Sequence, residues 1–76
     1  MLYAKLIDNI IKWARNPIVY RGFRIANPPA EIYLDLGYKP VHFTDPPEVE
    51  LSWEAVYSWR EDPEEIVQVW TVIQEL

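Results

Sequence analysis

Cysteine is absent from this 76-residue sequence, which removes disulfide frameworks and thiolate metal sites together. A reducing compartment is compatible with that composition. Glycine is scarce: Gly22 and Gly37 stand alone, so no loop has a phosphate-cradling spacing, and a nucleotide enzyme is disfavoured. No stretch approaches the roughly 20 apolar residues of a membrane span. The segment Met1–Asp8 has Lys5 and Asp8 inside any apolar core and no small-residue cleavage site, unlike a signal peptide. A soluble protein, cytoplasmic at its site of synthesis, is therefore expected, with no membrane partner. Basic charge is scarce in the second half. Residues 40–76 carry nine acids against Arg60 alone, a net −8, whereas residues 1–39 carry six basic side chains against three acids, a net +3. Phosphate binding needs clustered Lys and Arg, so nucleic acid is not an expected partner. Solvation of the surface accounts for the acids, and the asymmetry also suits head-to-tail self-association or docking on a basic partner.

Aromatic residues are abundant instead. Four Trp, five Tyr and two Phe stand in a chain long enough for one hydrophobic core and too short for two, so a single domain spanning 1–76 is expected. Each buried ring removes roughly 150–250 Å² from water, which is how so small a core can offset conformational entropy.

Proline, glycine and Asx residues punctuate the chain into short elements. Residues 2–15 read two ways: Tyr3, Ile7, Ile10, Ile11 and Ala14 fit a helical stripe, and Asp8–Asn9 between apolar runs fits a two-residue hairpin, with periodicity slightly favouring helix. Ile18–Tyr20 and Phe23–Ile25 around Arg21–Gly22 read as a second hairpin, although Arg at positive φ is strained there. One short α-helix is expected over about residues 28–36, capped by Asn27, started by Pro28 and stopped by Gly37 in the left-handed C′ conformation, with Pro29, Ile32, Tyr33 and Leu36 on its buried face. Lys39–Thr44 reads as a strand with Val41 and Phe43 on one face and His42 and Thr44 on the other. Asp45–Glu48 is a stiff, extended connection. Trp53, Ala55, Tyr57 and Trp59 alternate with Glu54, Val56, Ser58 and Arg60, and Ile66–Ile73 is apolar on both faces, as in a central strand; the two form an antiparallel hairpin. The expected fold class is α+β, a small antiparallel sheet built from hairpins with one short helix.

Taken in order, Asn16-Pro17-Ile18, Arg24-Ile25-Ala26-Asn27-Pro28, Gly37-Tyr38-Lys39-Pro40-Val41, Thr44-Asp45-Pro46-Pro47-Glu48, Ser58-Trp59 and Glu65-Ile66-Val67-Gln68-Val69-Trp70 resemble a family of short prophage proteins of gut bacteria, encoded among or after tail genes. That family is more distantly similar to a small tail-region protein of a defective Bacillus prophage. The resemblance implies a tail-region structural or assembly component, with phage tail proteins as partners and association with the virion, and supplies no mechanism. Relatives carry Asn-Gly at the position of Asp8–Asn9, which decides residues 2–15 in favour of a hairpin. They carry Asp or Asn where Arg21 stands, and often continue past Leu76 into a heptad-patterned helix that this sequence does not have.

No catalytic, cofactor or metal site is expected. His42 is the only histidine, and acid–base work would need Asp45 to orient it and Ser52 or Ser58 as nucleophile, which nothing in the sequence brings together. Glu61, Asp62, Glu64 and Glu65 lack calcium-loop spacing and are interrupted by Pro63, so a solvated turn is the better reading. The candidate interaction surface is Trp53, Tyr57, Trp59, Trp70 and Val72. Its simplest role is a core face; the alternatives are a protein interface or an aromatic-lined site for a carbohydrate or peptide. Because one short helix covers only one side of the sheet, Trp59, Trp70 and Val72 are expected to meet either a second copy, in a homodimer, or the first hairpin.

Overall fold

The computed structural model describes residues 1–74. Eight elements follow one another: β1 (Tyr3–Ile7), β2 (Ile10–Trp13), β3 (Ile18–Tyr20), β4 (Phe23–Ile25), α1 (Ala30–Asp35), β5 (Lys39–His42), β6 (Trp53–Glu61) and β7 (Ile66–Gln74). The α+β reading holds in its coarse form, with strand strongly dominant.

Residues 2–15 form a hairpin. Asp8 and Asn9 take φ of 53° and 64°, the two successive left-handed residues of a type I′ turn, and Ile7 faces Ile10 across it. The same geometry recurs at Arg21 (φ 51°) and Gly22 (φ 81°), joining β3 to β4. Arg21 carries its left-handed strain with its guanidinium 5.0 Å from the centre of the Tyr20 ring.

The helix is shorter than 28–36, and its start differs from expectation. Asn27 does not cap it: at φ 49° it lies outside the extended region a cap needs, and its side chain and backbone are tied to Asn16 by hydrogen bonds of 2.9 and 2.7 Å. Pro29 occupies the cap position without a side-chain bond. The end matches: Gly37, at φ 89°, donates to Leu34 O and Tyr38 donates to Tyr33 O, the paired bonds of a Schellman motif. Of the four residues assigned to its buried face only Tyr33 is buried, because one and a half turns of helix project too few side chains inward.

The main sheet has the order β2-β1-β5-β7-β6, and β3–β4 form a separate ribbon. An all-antiparallel sheet is corrected here: β5 and β7 run parallel, with Val41 beside Ile66 and His42 beside Val67. Turn signals identify sequence neighbours, whereas this pairing joins strands separated by the whole connection through β6. β5 also stops at His42, because Thr44 turns its backbone N–H to the Gln68 side chain and its hydroxyl to the Gln68 carbonyl.

Residues opposite one another share a face, so the register separates two surfaces. Ala4, Val41 and Ile66 form the core of one, with Leu6, Ile11 and Trp59 packed on it. Burying a side chain such as Ile66 contributes roughly 1.5–3 kcal/mol. On the opposite face α1 lies over β1: Tyr33 stacks on Tyr3 with centroids 4.6 Å apart, and Lys5 donates to the Leu36 carbonyl at 3.1 Å. β2 and β6 lie at opposite ends of the strand order, yet Trp13 and Trp59 meet edge to face at 5.8 Å, so the sheet curls strongly around its core.

Beyond Val67, among the described residues, only β6 pairs with β7. The hairpin of two nine-residue strands, each spanning about 30 Å at ~3.3 Å per residue, therefore projects as a two-stranded arm. It accounts for the elongated extents of 52 × 21 × 18 Å.

Candidate interaction surface

The register sets Trp53 opposite Gln74, Ala55 opposite Val72, Tyr57 opposite Trp70 and Trp59 opposite Gln68. All five candidate residues thus lie on one face of the β6–β7 hairpin, the face continuous with the core. That continuity divides them. Trp59 and Trp70 are half-buried, whereas Trp53, Tyr57 and Val72 are 38%, 56% and 40% exposed. The core of the chain thus takes in much of Trp59 and Trp70 and leaves Trp53, Tyr57 and Val72 partly open. β7 is likewise central only at its start; past Gln68 it leaves the five-stranded sheet.

Trp59 is the hub of an aromatic cluster. Tyr57, Trp13 and Phe43 meet it edge to face at 5.6, 5.8 and 5.8 Å, Trp13 stacks on Phe43 at 6.0 Å, and Tyr57 meets Trp70 at 5.4 Å. The first hairpin thus covers Trp59 within the chain, through Trp13. The Trp70 indole donates to the Thr44 carbonyl at 3.1 Å, which satisfies its one polar atom and fixes the ring. Sequence reading missed Trp13 as a member, because only the curl of the sheet brings it across; Phe43 shares the face assigned to it with Val41.

The outer arm exposes apolar side chains chiefly on the face of this aromatic row, since the other mixes Val56, Val69 and Ile73 with Glu54, Ser58 and Thr71. Ile73, opposite Glu54, is 43% exposed on the other side, and Leu51, just before β6, is fully exposed. The root is polar. Lys39 pairs with Glu61 at 2.8 Å and donates to the Asp62 carbonyl at 2.9 Å, while Arg60 grips Asp62 with two bonds of 2.9 and 3.1 Å. Hydrogen bonding by Arg60 holds the Asp62 carboxyl below its ordinary range, and the Arg60 pKa is raised by the same contact. Two of the four acids in this turn are thereby committed to local cations, and no group of three His, Cys, Asp or Glu among the described residues could hold a metal ion.

Comparison with known proteins finds no family model, curated protein or solved structure that matches this chain.

The residues weighed for acid–base chemistry are dispersed. His42 is exposed on the outer face at the end of β5, Ser58 faces Val69 on the hairpin, Ser52 sits in the turn before β6, and Asp45 lies in the connection. A cleft of about 460 Å³ lies away from all of them, between Tyr3, Leu34, Tyr38, Pro40 and Pro63. No helix among the described residues is long and apolar enough to cross a membrane.

Proposed function

We propose that this chain is a non-enzymatic, phage-derived protein that serves as a structural or assembly component of a tail region through protein–protein contacts of its projecting hairpin. The phage setting rests on the sequence resemblance alone. The single observation that carries the contact reading is the exposure of Trp53, Tyr57 and Val72 on one face of a two-stranded arm. A monomer this small has no folding reason to display these three together, and such patches mark interaction surfaces. Aromatic side chains are also favoured anchors at the centre of protein interfaces.

The alternative, an aromatic-lined module for a carbohydrate or peptide, draws on the exposed ring of Tyr57. Its planes argue against a sugar platform: Tyr57 is inclined by 75° to Trp59 and by 65° to Trp70, so these rings present edges to one another and no common flat face.

Induction of the host prophage, followed by sedimentation of tail intermediates, separates the readings. The protein is expected to co-sediment with tail structures, and a folded Trp53→Ala/Tyr57→Ala variant is expected to be released. Absence from those fractions, together with saturable glycan binding that quenches Trp fluorescence, would overturn the assembly reading in favour of the alternative.

A further inference from the structure

β6 is the edge of the main sheet, and its backbone offers a row of hydrogen-bonding groups to whatever lies beside it. Which residues point outward follows from the turn. Asp62 donates to the Glu65 carbonyl at 2.8 Å, which makes those two a hydrogen-bonded pair. By the two-residue period, Arg60, Ser58, Val56 and Glu54 bond inward to β7, and Glu61, Trp59, Tyr57 and Ala55 face outward. Nine successive residues pair with β7 without a bulge, and β6 contains no proline or lysine, while its charges, Glu54, Arg60 and Glu61, stand towards its two ends.

The side chains of this edge are complementary to their own reversal. Two β6 strands laid antiparallel about a two-fold axis through Tyr57 place Glu54 opposite Arg60 of the other copy, twice, and place the small Ala55 opposite the bulky Trp59, twice. Val56 then meets Ser58, and Tyr57 meets Tyr57 as the central hydrogen-bonded pair. Arg60 uses Nε and Nη2 on Asp62, leaving Nη1 free to reach a second carboxylate; among the described residues Glu54 makes no ion pair. We propose that a second copy of this chain adds to the sheet through β6, antiparallel and centred on Tyr57, joining the two arms into one four-stranded ribbon. A two-fold contact needs only one self-complementary patch, and this strand carries one in both charge and size. The inference rests on the reading of the arm as a protein-contact element and names its partner.

The test is sedimentation of the full chain and of charge variants. The wild type is expected to reach twice the monomer mass at high micromolar concentration. Glu54→Lys and Arg60→Glu each place two like-charged pairs in the contact and are expected to weaken self-association by about tenfold or more. Mixing those two variants restores both opposite-charge pairs and is expected to recover a heterodimer that neither forms alone. Ala55→Pro removes an outward N–H that the hairpin does not use, so it is expected to leave the circular dichroism spectrum intact and abolish the dimer. A dimer indifferent to all of these changes overturns this contact while leaving a protein-contact function standing. So does a strict monomer that still co-sediments with tail structures. A strict monomer that binds neither itself nor tail proteins overturns both.

Discussion

Single residues in unusual backbone conformations fix the joints of this fold, and each can be tested alone. Gly37 ends the helix at φ 89°, where an added Cβ would meet only Lys5 Nζ at 4.0 Å, so what excludes other residues there is conformational strain and not crowding. Gly37→Val is expected to lower stability by about 1–2 kcal/mol or more, since β-branched residues are the least tolerant of that region. In a domain of this size that corresponds to a fall in Tm of roughly 4–8 °C per kcal/mol, and an unchanged melting temperature would remove the proposed helix end. Tyr20 supplies a pH-dependent contact. Its hydroxyl donates to Asp35, and that bond, followed by partial burial, raises the phenol pKa above its ordinary value near 10. The protonated phenol is the bonded form, so the stabilisation is complete below the unfolded-state pKa and is lost as pH rises through the higher folded-state value. Thermal melts of the wild type and Tyr20→Phe are expected to differ at neutral pH and converge in the alkaline range. A constant difference from neutral pH to beyond the phenol titration contradicts that contact.

The elements were legible in the sequence wherever local chemistry decides them. Arg21–Gly22 between apolar runs gave a tight hairpin because the left-handed conformation that its turn needs is local, and Gly37 marked a helix end for the same reason. Asp8–Asn9 was ambiguous in the residues themselves, and it is the left-handed φ of both that shows the hairpin. Asn27 misled because a capping side chain is equally suited to holding a left-handed residue, and Asn16, eleven positions away, supplied the competing bonds. The parallel β5–β7 pair was illegible, since nothing near either strand encodes a partner so distant in sequence. The aromatic row was legible as a shared face but not as a divided one: its burial depends on where β5 stops and on the curl that carries Trp13 across to Trp59. That division predicts unequal costs. Trp59→Ala, at the hub of the cluster and against the core, is expected to destabilise by about 2–4 kcal/mol, whereas Trp53→Ala, at the outer end of the arm, is expected to change stability by under about 1 kcal/mol. Chemical denaturation of the two variants checks this, and equal losses would place Trp53 in the folding core.

At the scale of the whole molecule, a curled sheet gathers its core at one end and sends a two-stranded arm out of it. The excess of apolar side chains in Ile66–Ile73 was readable from sequence, with a second copy expected to cover it and the first hairpin as the alternative; the first hairpin covers Trp59 through Trp13. The projection itself was not readable, because strand length does not say how far a third strand will follow. What remains uncovered is an edge with alternating open backbone groups, and that alternation gives the account its most direct measurement. Amide hydrogen exchange, resolved residue by residue along β6, is expected to show Val56, Ser58 and Arg60 protected at every concentration by their bonds to β7. Ala55, Tyr57 and Trp59 are expected to exchange rapidly in dilute protein and to become protected as concentration rises. Rapid exchange of those three amides at all concentrations would contradict the claim that this protein makes its contacts through the edge of its arm.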